Sequence, residues 1–172
     1  MKTLIFFLSL LLSSCGYTTQ LSTRKGGIYV KPVVNRIVIA SEDRAYSGYS
    51  SYPILLEKKL TNSVINEFNI RGGQFTVPNN SLDSYTLECS IYDYKREALR
   101  YTDDDSVSEQ RLRLYVKVKF YDSDDEIIKE KEIVGEATYF LSGSYAIPES
   151  EAIRDLIDDS AKRIVETVSQ DW

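Results

Sequence analysis

Between residues 111 and 121 apolar and polar side chains alternate without a break. Leu112, Leu114, Val116, Val118 and Phe120 fall on one side, and Arg111, Arg113, Tyr115, Lys117, Lys119 and Tyr121 on the other. A period of two is that of a strand with one face on a core and the other toward water or a partner. Weaker versions of the pattern predict strands near Tyr85 to Tyr94 and Ile127 to Phe140. The period changes after Pro53, where Leu56, Leu60, Val64 and Phe68 recur every four residues and Glu57, Lys58, Asn62 and Asn66 lie around the rest of the wheel. This predicts an amphipathic helix whose first turn starts at Pro53 and which Gly72-Gly73 closes. A second helix opens at Pro148. Its apolar line is Ile153, Ile157, Ala161, Ile164 and Val168, with the acids Glu149, Glu151 and Asp155 early and the basic Lys162 and Arg163 later, as the helix dipole prefers.

Two shorter strands are expected. Arg36-Ile37-Val38-Ile39-Ala40 is rich in β-branched residues, and Phe75-Thr76-Val77 follows the first helix, so a strand-helix-strand crossover with parallel pairing is predicted. Two helices and a sheet with one apolar face must bury their stripes against each other. The expectation is an α+β fold: a two-layer sandwich of two amphipathic helices on one face of a mixed sheet of four to five strands. It forms a single domain over residues 28–172, with no internal repeat.

The polar face of the Arg111 strand admits two readings. It could meet lipid phosphates or another protein. Alternatively, a hairpin that sets Lys119 against Glu130 also sets Lys117 against Glu132 and Arg113 against Glu136, and cross-strand ion pairs then use most of the charge. The second is the stronger reading, because such pairs are common on solvated sheet faces.

The chain begins with one positive charge, Lys2, then a nine-residue apolar run from Leu4 to Leu12 with a single Ser, then Ser13-Ser14-Cys15-Gly16. These are the three regions of a secretory signal, and the run is far short of the roughly 20 residues a membrane-crossing helix needs. Leu12-Ser13-Ser14-Cys15 resembles a bacterial lipobox, which implies removal of residues 1–14 and lipidation of Cys15, palmitate included. Several acyl chains hold a protein durably on a membrane. Gly16 is not the aspartate that retains many such lipoproteins at the inner membrane, so the resemblance favours the outer membrane. Residues 15–27 then read as the lipidated N-terminus and a tether.

Composition narrows the chemistry. With no histidine among 172 residues, every Ser-His or Cys-His site and every His-containing metal cage is excluded. A net charge of −5 leaves no broad electrostatic footprint for nucleic acid. Cys89 lies on the apolar side of its strand with Tyr85, Leu87 and Ile91, which suits a buried, inert thiol. The acidic runs Asp103-Asp104-Asp105 and Asp122 to Glu126 invite a calcium site, but Ile127 stands where the EF-hand pattern needs glycine, so solvated turns are the better reading. No catalytic constellation, metal site or cofactor beyond the lipid on Cys15 is expected.

The segment from Tyr46 to Tyr52 has the Tyr, Ser and Gly composition of adaptable binding surfaces, though tyrosines equally pack down on their own domain. Beyond this, the order of segments resembles the LptE family of lipopolysaccharide-assembly lipoproteins. The shared features are Cys15-Gly16-Tyr17, the stretch Arg36-Ile37-Val38-Ile39, and Leu56-Glu57-Lys58-Lys59-Leu60-Thr61-Asn62. They continue through Leu87 to Tyr94, Glu109-Gln110-Arg111-Leu112 and the helix end Ile164-Val165-Glu166. The resemblance implies a non-enzymatic lipoprotein on the periplasmic face of the outer membrane. It would plug the lumen of an LptD-type β-barrel, help that barrel assemble and deliver lipopolysaccharide to the outer leaflet. Contact with the barrel or with lipopolysaccharide is expected at Tyr46, Tyr49 and Tyr52, and at Arg96, Arg100 and Tyr101 in the loop between the long strands, where some members of the family the chain resembles carry basic residues that meet lipopolysaccharide.

Two other roles stay open. One is a lipoprotein regulator of a periplasmic cell-wall enzyme, which the roughly dozen tether residues, reaching at most about 40 Å, disfavour. The other is a periplasm-facing lipid carrier, which predicts an apolar cavity inside the sandwich.

Overall fold

The computed structural model describes residues 26–37, 52–71, 76–81 and 83–169. Along the chain run β1 (Ile28–Val30), β2 (Val34–Asn35), α1 (Leu56–Arg71), β3 (Thr76–Val77), β4 (Tyr85–Tyr101), β5 (Val107–Tyr121), β6 (Ile127–Phe140) and α2 (Glu149–Ser169). They form one six-stranded mixed sheet in the order β3-β1-β4-β5-β6, with β2 also paired to β4. The long strands β4, β5 and β6 are antiparallel, whereas β1 runs parallel to both β3 and β4, and β2 parallel to β4.

The sheet has one strand more than the four to five expected, and the difference lies before α1. Residues 28–35 follow β4 as an interrupted strand, with Lys31 N–H bonded to the Leu87 carbonyl at 2.9 Å and Arg36 N–H to that of Ile91 at 2.7 Å. Pro32 has no N–H to give, and Val33 N–H turns to the Thr61 hydroxyl of α1 at 3.0 Å, so pairing lapses between β1 and β2. The strand expected over Arg36 to Ala40 is not found at its start. Ile37 N–H bonds to Asn35 Oδ1 at 2.9 Å, a local turn that ends β2, and residues 38–40 lie outside those described. The parallel crossover is present, with β1 as its first strand: Ile28 pairs with Thr76 and Tyr29 with Val77 across α1.

Pro53 precedes α1 rather than opening it. Leu55 takes a left-handed φ of 59°, and Leu56 N–H bonds to the Pro53 carbonyl at 3.3 Å, so the helix begins at Leu56. The Pro148 carbonyl, by contrast, accepts Glu151 N–H at 2.9 Å and directly opens α2. Leu56, Leu60, Val64 and Phe68 of α1 are buried, as are Ile157, Ala161, Ile164 and Val168 of α2. They meet Leu87, Cys89 and Ile91 of β4, Leu112 to Phe120 at alternate positions of β5, and Ile133 of β6. The helices lie parallel: Lys59 lines a groove with Ser150, and Ser63 donates to Asp158 at 2.9 Å. Both helix N-termini therefore point to one end of the sandwich, here the distal end. Where α2 crosses β6, a Cβ on Gly135 would lie 1.9 Å from Ser160 Oγ, so glycine sets the closeness of helix and strand.

Candidate partner-contact surface

At the distal end the long strands continue past the helix starts as an arm, three-stranded as far as Glu109 opposite Phe140 and two-stranded, β4 with β5, beyond it. Lys95 pairs with Arg113, Glu97 with Arg111 and Arg100 with Glu109, and the chain turns only at residues 102–106. Thr102 N–H bonds to the Ser106 carbonyl at 2.8 Å, Asp105 sits at φ 60°, and the Thr102 hydroxyl donates to Asp104. That hydroxyl holds the Asp104 carboxyl below the usual carboxylate range. Arg96, Arg100 and Tyr101, expected in a loop, are thus strand residues. Register shifts between Ile91 and Asp93 and between Ala98 and Arg100 change the phase of alternation, and the arm is paired by backbone and charge rather than by an apolar stripe.

Beneath the arm, aromatic and charged groups converge. The Tyr52 ring meets the Tyr94 ring edge-on at a centroid distance of 6.0 Å, and its hydroxyl donates to Glu57 at 3.2 Å. Burial, then the Glu57 charge, push the Tyr52 hydroxyl well above its ordinary value. Arg96 lies on the core side of β4 and pairs with Glu149 in the first turn of α2. The Tyr139 hydroxyl donates to Gln110 at 2.8 Å. Among the described residues the Tyr94 hydroxyl and Arg96 Nε are buried without a hydrogen-bond partner. Burial raises the Tyr94 hydroxyl, and the Arg96 charge opposes that rise.

The fold thus brings Tyr52 and Arg96 to one cluster through Tyr94, and carries Arg100 and Tyr101 out along the arm. Arg100 Nε holds Glu109 at 2.8 Å and Tyr101 is 62% exposed. Tyr46, Tyr49 and Cys15 lie outside the described residues. Sequence reasoning missed Leu99, Leu141 and Tyr145, large exposed side chains at the same end. Tyr145 is tied in by its ring, 6.4 Å from that of Phe140. Two apolar residues flanking the sequence Ser142-Gly143-Ser144 were a usable signal of an exposed patch.

The outer sheet face carries the charges in pairs. Arg113 lies opposite Glu136, Lys117 opposite Glu132 and Lys119 opposite Glu130, the register expected. Arg113 bonds to Glu136 at 2.7 Å and Glu97 at 3.1 Å, while Glu130 takes Lys117 at 2.6 Å and Lys119 at 3.9 Å. Glu132 instead accepts the Tyr92 hydroxyl at 3.2 Å, and that ring lies 5.9 Å from Tyr115. Cross-strand pairing therefore occupies these basic side chains. Cys89 is buried, its thiol pushed up to about 12 by burial and then by the Glu88 charge. Among the described residues no group of three acids or cysteines is placed to hold a metal.

A family model described as LptE, lipopolysaccharide-assembly, matches residues 34–169, from β2 to the last residue of α2. The chain belongs to the LptE family. That family match spans the arm, the cluster beneath it and both helices, and it places the protein's role in lipopolysaccharide assembly. Three solved structures share the LptE-like fold. Rare lipoprotein B from Shewanella oneidensis is 14% identical at a TM-score of 0.52, the alignment covering 83% of this chain and 95% of that one. A minor lipoprotein from Acinetobacter baumannii is 18% identical at 0.52, covering 84% and 93%. Lipoprotein B from Nitrosomonas europaea is 14% identical at 0.54, covering 84% and 82%. No curated protein matches the chain.

Proposed function

We propose that this protein is an outer-membrane lipoprotein, processed to begin at Cys15 and anchored by lipid there, that forms a complex with an LptD-type β-barrel. It assists assembly of that barrel and delivery of lipopolysaccharide to the outer leaflet, without catalysis. The observation that carries the reading is the family match over residues 34–169. The three fold relatives are themselves named lipoproteins, which supports the anchor. No described helix is long and apolar enough to cross a membrane, and in this reading the attachment is the lipid on Cys15.

The surface supports a plug better than a carrier. The layer between helices and sheet is filled by large side chains such as Phe68, Phe120, Leu87 and Leu114, and the grooves among the described residues open outward. A barrel lumen is polar, and a plug suited to it presents satisfied charge and aromatic rings rather than a broad apolar patch. The outer sheet face and the arm have that character. Tyr46, Tyr49, Tyr52, Arg96, Arg100 and Tyr101 are the proposed contact residues, with Arg100 and Tyr101 foremost because they stand furthest out on the arm.

Affinity purification from detergent-solubilised outer membranes, with a Cys15→Ala control, tests the reading. Recovery of one large β-barrel in near-equal amount, lost or reduced in the control, is expected. Recovery of a soluble cell-wall enzyme, or of lipid alone, overturns it in favour of a regulator or a carrier respectively.

A further inference from the structure

The sheet ends at β6, and the fold closes only part of that edge. Glu136 N–H points away from β5 to Asp159 Oδ2 of α2 at 2.8 Å, and the outward Phe140 carbonyl accepts Ile147 N–H at 3.2 Å. Pairing of β5 with β6 is regular from Lys129 to Phe140, so the period of two fixes the rest. Glu130, Glu132 and Val134 also turn their N–H and C=O groups outward. Among the described residues these groups have no partner.

Beside this open stretch lies a groove of about 320 Å³ between β6 and the second half of α2, lined by Lys131, Ile133, Arg163, Glu166 and Thr167. An edge strand with unused backbone groups beside a helix-walled groove is the geometry in which an extended peptide adds as a further strand. We infer that the Glu130–Val134 edge is a strand-addition site for an extended segment of a different protein, with acidic side chains on the helix-facing side.

Charge argues for that occupant over a second copy of this chain. The run Lys129-Glu130-Lys131-Glu132 places both lysines on the helix side and both glutamates on the outer side. Two copies joined edge to edge by a two-fold axis pair residues of equal parity, so across the seam a lysine meets lysine or Ile133, a glutamate meets glutamate or Val134, and no lysine meets an acid. Of the groove's two cations Arg163 is held by Asp159 at 2.7 Å, which leaves Lys131 to take an acid from an added strand, and a second copy offers it none. Glu130 and Glu132 are already held by Lys117 and the Tyr92 hydroxyl, so the outer side asks only for small or β-branched residues. The site lies toward the other end of the sheet from the tip of the arm, with Glu130 opposite Lys119 and Arg100 opposite Glu109, and it stands or falls separately from the barrel-contact reading.

The test uses the full chain in detergent and two blocked heptapeptides, TVEVEVT and TVKVKVT, with backbone amide exchange read by mass spectrometry. The acidic peptide slows exchange over residues 130–134 about tenfold at roughly ten times its dissociation constant, and the lysine peptide does not. Glu132→Pro removes one outward N–H while sparing the pairing with β5, and abolishes the protection with the circular dichroism spectrum unchanged. Methylating alternate amide nitrogens of the acidic peptide does the same without altering the protein. Lys131→Glu reverses the preference between peptides. Equal protection by both peptides, protection that survives backbone methylation, or no protection by either overturns the inference.

Discussion

The two halves of β4 are held by different forces. From Leu87 to Ile91 every second side chain is buried under a helix, and the backbone is flanked on both sides, by β1 and β2 on one and β5 on the other. From Glu97 to Tyr101 only β5 accompanies the strand, most side chains are exposed, and ion pairs such as Arg100 with Glu109 take the place of apolar contacts. Burial of a large apolar side chain contributes about 1.5–3 kcal/mol, whereas an exposed ion pair contributes about 0–1. The proximal half therefore sets global stability, and the arm is free to be specialised for contact at little cost to the fold.

The largest effect expected from this contrast comes from truncating one leucine in each half. Leu87→Ala opens a cavity under the helices and costs about 2–5 kcal/mol, whereas Leu99→Ala on the arm stays within about 0.5 kcal/mol. Urea unfolding measures both. Cys89 gives an independent reading, since its buried thiol resists alkylation in the fold and becomes reactive when the proximal half opens. Equal losses at the two leucines break the comparison.

Next in size is the contact between α2 and β6. Gly135→Ala drives a Cβ into Ser160, whose Cα stands 3.0 Å away as well as its hydroxyl at 1.9 Å, so repositioning the hydroxyl alone gives no relief. A loss of about 1–3 kcal/mol is expected, as for other overpacked sites, read as a lower urea midpoint. A neutral outcome means that α2 is not seated on β6 as closely as the proximal half requires.

The same two halves differ in how far the sequence revealed them. The unbroken alternation of Arg111 to Tyr121 and the four-residue spacing of Leu56 to Phe68 predicted strand, helix, buried face and even hairpin register, because one repeating pattern meets one continuous core. β1 and β2 have three and two residues, too few to show a period, and exist because β4 offers them backbone partners. The four-residue apolar run from Ile37 to Ala40 was a stronger local signal than either, yet its first residue lies in the turn after β2, since local propensity is a weak guide beside long-range pairing. On the arm, bulges break the alternation and charges replace apolar residues, so strand looked like loop. The cluster beneath it was least legible, since Arg96 and Glu149 are 53 residues apart and only the seating of α2 on the sheet brings them together.

A smaller effect is expected where the halves join. Arg96 ties the base of the arm to the start of α2, and the pair is only partly buried, at 27% and 39% side-chain exposure. Arg96→Ala costs about 1 kcal/mol, at the upper end for exposed pairs because part of the side chain packs on the core. Its sharper signature is local: amide exchange over residues 97–110 quickens while that of residues 112–120 keeps its rate. Quickening of both segments together means that the arm and the core open as one unit.

The smallest effect is a change of slope with pH. Hydrogen bonding to Lys117, with the charges of Lys117 and Lys119 adding to it, lowers the Glu130 carboxyl below its ordinary value of 4.5. A carboxylate depressed in the folded state contributes stability that is complete above the unfolded value and is lost as pH falls through the folded one. The window therefore opens near the ordinary carboxylate range and extends below it. Glu130→Gln removes this contribution, so wild type and variant differ at neutral pH and converge on acidification. Exposure of the pair, 40% and 39% at the two side chains, keeps the difference small, and salt shrinks it further. Asp104 at the tip of the arm is lowered by the Thr102 hydroxyl rather than by a cation, so Asp104→Asn gives a pH window of the same sign that salt changes less. Two windows with equal salt sensitivity remove the distinction between a charge-paired sheet face and a hydrogen-bonded turn.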